Sequence, residues 1–188
     1  MLREAEKEQR VAAYLDAGHG SCILRVPELA EMVQETFTHF HGQRYHLHAW
    51  CVMPNHVHVL FQAKEGWTMS RIVASWKSYT GRRISAYAKA NGMPDGLSAG
   101  LFAAVGRGVP GRVWHREYWD RYIRDDGHFN TVVEYIRMNP VKAGLCTRPE
   151  DWRWSSAFCA THECGGPDGT GLGQDGPKRT GPQPGGTA

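Results

Sequence analysis

The chain has 188 residues, with 22 Lys plus Arg, 19 Asp plus Glu and ten His. That length suits a single domain, with or without an appendage. No apolar run approaches the roughly 20 residues of a membrane span, and the charged N-terminus lacks the apolar centre of a secretory signal. Five Cys, an odd number with no Cys-x-x-Cys pair, argue against a disulfide framework and for a reducing, cytoplasmic setting. The net charge of +3 hides an uneven distribution. Residues 66–124 carry ten basic and three acidic groups, eight of the ten being Arg, and the flanking stretches are mildly acidic. Such a block is either the footprint of a polyanion or a solvated Arg-rich face.

In chain order, residues 3–17 have helical composition and Gly18 is a natural stop. Cys22–Val26 reads as a short extended run. Pro27 opens a helix over about 28–41, with Leu29, Met32, Val33, Phe37 and Phe40 at helical spacing. Tyr45–Val52 and His56–Gln62 are β-rich and flank Met53-Pro54-Asn55, so a hairpin is expected. If even positions face even positions, His56 and His58 lie on one face beside Trp50. Residues 68–90 read as a helix with Ile72, Val73, Trp76 and Ile84 inward. A Gly-rich loop covers 92–112. The stretch 113–124 is dense in aromatic and Arg residues. A helix over 127–138 buries Phe129, Val132, Val133 and Ile136, and Asn139-Pro140 is expected to break it. Trp152-Arg153-Trp154-Ser155-Ser156 closes the ordered part. The domain is thus 1–164, followed by a disordered Gly/Pro-rich tail over 165–188.

Three His-x-His pairs occur. His39/His41 falls on a helix, where i and i+2 diverge, and His46/His48 lies on a wet strand face. His56 and His58 on one strand present both imidazoles together, as a metal pair or as structural histidines. Tyr135 and Asn139, at i and i+4, share a helix face. A tyrosine hydroxyl is a nucleophile only when activated, and a cation held nearby supplies such help. Cys159, His162 and Cys164 cluster, but without a fourth zinc ligand at usual spacing.

Pro54-Asn55-His56-Val57-His58-Val59, Trp76-Lys77-Ser78-Tyr79-Thr80, the run from Trp114 to Arg124, Glu134 to Leu145 and Trp152 to Ser156 occur in order over about 44–156. This set resembles the REP-associated tyrosine transposases, of the HUH single-tyrosine transposase superfamily. The resemblance implies an α+β, ferredoxin-like antiparallel sheet with helices on one face. It implies a divalent metal, Mg²⁺ or Mn²⁺, at His56, His58 and Asn139, with Tyr135 as nucleophile. The implied activity is single-stranded DNA cleavage and strand transfer at palindromic repeat hairpins, through a 5′-phosphotyrosine link, by a monomer or homodimer. Tyr79 is a rival nucleophile, but its i+4 residue is Arg83, which cannot hold a cation.

Lys77, Arg82, Arg83, Arg112, Arg116, Arg121 and Arg124 are then candidate phosphate contacts. Trp114 and Trp119 either stack on bases or form a packed aromatic cluster. The chain departs from the family pattern at its start, where neither 3–17 nor 22–26 resembles the usual first strand. Two other readings follow: a hairpin-binding module without cleavage, and a structural zinc protein using the histidines with Cys159 and Cys164.

Overall fold

The computed structural model describes residues 14–16, 18–19, 22–91, 113–115, 118, 120 and 122–158. The 92–112 loop, the tail, the Cys159/His162/Cys164 cluster, and Arg112, Arg116, Trp119 and Arg121 lie outside the described residues. So does most of the 3–17 helix, of which residues 14–16 are helical.

The fold is α+β, built on one two-stranded antiparallel hairpin among the described residues. Helix α1 is Pro27–Thr38, strand β1 Tyr45–Val52 and strand β2 Val57–Ala63. Helix α2 is Met69–Asn91 and helix α3 Asp126–Lys142. Cys22–Val26 is not extended: Ile23–Arg25 is a 3-10 turn buried under α1.

A bulge decides how the hairpin is used. Tyr45 pairs with Ala63 and Leu47 with Phe61, but beyond a register shift at His48, Ala49 pairs with Leu60 and Cys51 with His58. The extra residue reverses which side each later side chain takes. Tyr45, Leu47, Trp50 and Val52 therefore share one face with Val57, Val59 and Phe61, packed against Met32, Val33 and Phe37 of α1 and Ile72 and Trp76 of α2. Ala49, Cys51 and Leu60 occupy the other face, under Val132, Val133 and Ile136 of α3. Helices thus cover both faces, because the unbroken apolar run Ala49-Trp50-Cys51-Val52 needs cover on both sides. His58 sits opposite Cys51 rather than beside Trp50, which corrects the even-to-even pairing.

The outer edge of β1 is covered by 154–156. Val52 N–H donates to Trp154 O at 2.8 Å, Ser156 N–H to Trp50 O at 3.0 Å and Trp50 N–H to Ser156 Oγ at 3.1 Å. The Trp152–Ser156 segment therefore protects an edge that would otherwise be open to pairing.

Helix α3 starts at Asp125, whose carboxylate accepts the His128 N–H at 2.8 Å. It does not break at Asn139-Pro140. Pro140 lies close to the end of the helix, so little of the hydrogen-bond ladder depends on its missing N–H. The ladder resumes with Ala143 N–H to Asn139 O at 3.0 Å, and Leu145 N–H to Pro140 O at 2.9 Å closes the end. Gly144, at φ 68°, makes the left-handed turn that this closure requires.

Candidate metal and tyrosine site

The hairpin turn sets the first two groups. His56 precedes β2 and His58 lies within it, so both rings project from one side of the strand. Their Nε2 atoms are 2.9 Å apart, with the rings nearly perpendicular. Two nitrogens bound to one cation at ~2.1 Å and at right angles would stand ~3 Å apart. His56 is 9% exposed.

The third group is one that sequence reasoning missed. Asp16, at the end of the 14–16 helical turn, places Oδ1 3.3 Å from His56 Nε2 and 3.8 Å from His58 Nε2. That oxygen is buried and accepts no hydrogen bond. Asp16, His56 and His58 each bring a ligand atom within 4.8 Å of the others, and they form the one such trio among the described residues. Two imidazoles and a carboxylate oxygen without a partner fit a divalent cation. One signal in the sequence could have found Asp16. An acidic residue just before a helix-stopping Gly opposes the helix dipole, which favours cations there.

The fourth group comes from α3. Tyr135 Oη donates to Asp16 Oδ2 at 3.1 Å, and its ring meets the His58 ring edge-on at 5.3 Å. Lys142 Nζ lies 5.2 Å from the centre of the Tyr135 ring. The helix register that brings Val132, Val133 and Ile136 onto the sheet brings Tyr135 to the rim of that contact. Asn139, one turn on, is buried at 2% exposure, and its Nδ2 has no hydrogen-bond partner.

Electrostatics follow from burial. The His56 imidazole is pushed down to about 4, chiefly because burial opposes its charged form, with His58 adding to the effect and Asp16 partly offsetting it. It is therefore neutral, with a lone pair free for a ligand. The Asp16 carboxyl lies below its ordinary value chiefly because the neighbouring His58 ring favours the carboxylate form, an effect that outweighs its partial burial.

The remaining sequence candidates are spread more widely. Tyr79 is exposed on α2 and lines a cavity of about 530 Å³ between α1 and α2, across the sheet from Tyr135. Arg82 lines the same cavity, and Arg83 is exposed. Lys77 Nζ donates to His115 O at 2.9 Å and lies over the Tyr118 ring. Trp114 is half-buried against the core of α1 and α2, and its Nε1 donates to Thr80 Oγ1 at 2.7 Å. Arg124 is exposed just before α3.

Comparison with known proteins agrees with the motifs. Residues 25–93 match the IS200-like transposase family. The chain is 28% identical over 107 residues to a Haemophilus influenzae protein assigned as a REP-associated tyrosine transposase, covering 56% of this chain and 55% of that protein. It is 23% identical over 112 residues to the Escherichia coli REP-associated tyrosine transposase, covering 60% and 54%. The chain thus spans about half the length of the curated relatives it matches. No solved structure matches. The resemblance to the REP-associated tyrosine transposases, drawn from the motifs, is supported by both comparisons.

Proposed function

We propose that this chain is a metal-dependent single-stranded DNA endonuclease and strand transferase that acts on palindromic repeat hairpins. The observation that carries the reading is the convergence of Tyr135 with Asp16, His56 and His58, drawn from three separate parts of the chain.

His56, His58 and Asp16 hold the cation, Mg²⁺ or Mn²⁺, with Asn139 as a further oxygen donor. When bound, it supplies Lewis-acid polarisation of the scissile phosphate and neutralises developing charge. The Tyr135 oxygen attacks phosphorus and forms a tyrosine–phosphate ester to the 5′ side. The bond from phosphorus to the 3′ oxygen breaks, and that oxygen takes a proton from solvent water to leave as a free hydroxyl. The Tyr135 proton passes along its hydrogen bond to Asp16 Oδ2. Attack by a 3′-hydroxyl on the phosphotyrosine reverses the step and joins strands. Lys77, Arg82, Arg83 and Arg124 contact phosphates, with Arg112, Arg116, Arg121 and Trp119 as further DNA contacts from the basic block, and Trp114 packs against the core instead.

The test incubates the protein with single-stranded hairpin DNA and Mn²⁺ and looks for a protein–DNA adduct that survives denaturation. A wild-type adduct that Tyr135→Phe abolishes supports the reading. Hairpin binding without any adduct would leave a binding module in its place.

A further inference from the structure

The side chain of Asn55 spends both its N–H donors and its oxygen on the two elements that form the site. Its Nδ2 donates to two backbone carbonyls of the segment that carries Asp16, Leu15 O at 2.8 Å and His19 O at 2.6 Å. Carbonyl oxygens only accept, so the amide orientation is forced: nitrogen to the segment, oxygen to the other side. That oxygen, Oδ1, lies 2.8 Å from His56 Nδ1. An amide oxygen also only accepts, so His56 must carry its proton on Nδ1. In the neutral ring Nε2 is then a lone pair, facing His58 and Asp16.

We infer that Asn55 is a positioning residue: it selects the Nδ1–H tautomer of His56 and fastens the Asp16 segment against the hairpin turn. The functional meaning of this role rests on the proposed metal site. The role itself is a matter of which bonds Asn55 makes. The 14–19 segment enters the site from far away in sequence, and within it Gly18 N–H bonds Leu15 O and His19 N–H bonds Tyr14 O. Leu15 O and His19 O, the carbonyls Asn55 grips, flank Asp16 on both sides. Partners of this kind orient metal ligands and fix their tautomers elsewhere, and their loss weakens metal affinity by about 10–100-fold.

Asn55→Asp and Asn55→Ala separate the two functions. Aspartate keeps an oxygen for His56 Nδ1–H but has no donor for the two carbonyls. Alanine loses both. The first measurement is ¹⁵N NMR of the histidine rings at pH 8 without metal. His56 should be Nδ1–H in the wild type and in Asn55→Asp, and a tautomer mixture in Asn55→Ala. The second is amide exchange at Gly18 and His19, which should quicken at least about tenfold in both variants. The third is Mn²⁺ titration, in which Asn55→Ala should bind about 10–100-fold more weakly. An unchanged His56 tautomer in Asn55→Ala, or unchanged exchange at Gly18 and His19 in both variants, overturns the proposal. Failure of the wild type to take up Mn²⁺ would sink the metal reading by itself, and the two metal-free measurements would still decide the role of Asn55.

Discussion

Tyr135 and Asp16 stand 119 residues apart in sequence and meet through one hydrogen bond, Oη to Oδ2 at 3.1 Å. The bond ties the helix that packs under the sheet to a segment held by the hairpin turn. Replacing Tyr135 with Phe removes the proposed nucleophile and that bond but keeps the ring that meets His58. Adduct formation on hairpin DNA should vanish, while stability in urea falls by only about 1 kcal/mol. Tyr79→Phe, across the sheet, should leave the adduct intact. An adduct that persists in Tyr135→Phe and disappears in Tyr79→Phe would reverse the assignment.

Asp16→Asn tests the carboxylate as a ligand. The amide is nearly the same size and still accepts from Tyr135, so the hydrogen bond to α3 can remain. What is lost is the negative charge beside the His56 and His58 rings. Mn²⁺ binding, followed by the loss of its free electron paramagnetic resonance signal, should weaken at least about tenfold. Equal affinity in the variant and the wild type would remove Asp16 from the metal site.

The sequence made some of this legible and hid the rest for physical reasons. Helices α1, α2 and α3 could be read because each keeps an apolar stripe at helical spacing, as Ile72 and Trp76 show in α2. The His56/His58 pair could be read because alternation on a strand is rigid. The bulge at His48 could not, since nothing in Leu47-His48-Ala49 announces an extra residue, and the partner of His58 changed with it. Asp16 was hidden because tertiary packing brings it in, and no spacing links it to His56. The continuation of α3 through Pro140 was hidden because a proline in the last turn costs little of the helix ladder.

His56 also makes stability depend on pH. Its folded value of about 4 lies below the ordinary 6.5, so between those values the unfolded chain binds more protons than the folded one. The contribution is therefore fully present above about pH 6.5 and is lost as the pH falls toward 4. A shift of this size corresponds to about 3 kcal/mol. The lowered Asp16 carboxyl acts in the same direction, below its own ordinary value. Urea denaturation of metal-free protein should show lower stability at pH 4.5 than at pH 7.5, and His56→Gln should flatten that difference. A pH slope that survives His56→Gln in full would place its origin elsewhere, such as at His48, which burial also lowers.

The last prediction concerns the opposite face of the sheet. Tyr45 is 1% exposed, and its hydroxyl donates to Phe37 O at 2.8 Å while accepting from Trp76 Nε1 at 3.1 Å. One buried oxygen thus links β1 to α1 and α2. Tyr45→Phe keeps the ring, which packs edge-on to Trp76 and Phe61, but leaves the Trp76 N–H without that partner in the core. An orphaned buried donor costs about 1–3 kcal/mol. The unfolding free energy should fall by that amount and the urea midpoint should fall with it, with the slope of the transition unchanged. Mn²⁺ affinity should hold, because the site lies across the sheet under α3. A loss of Mn²⁺ affinity with unchanged stability would contradict the placement of the metal site on the opposite face of the sheet from Tyr45.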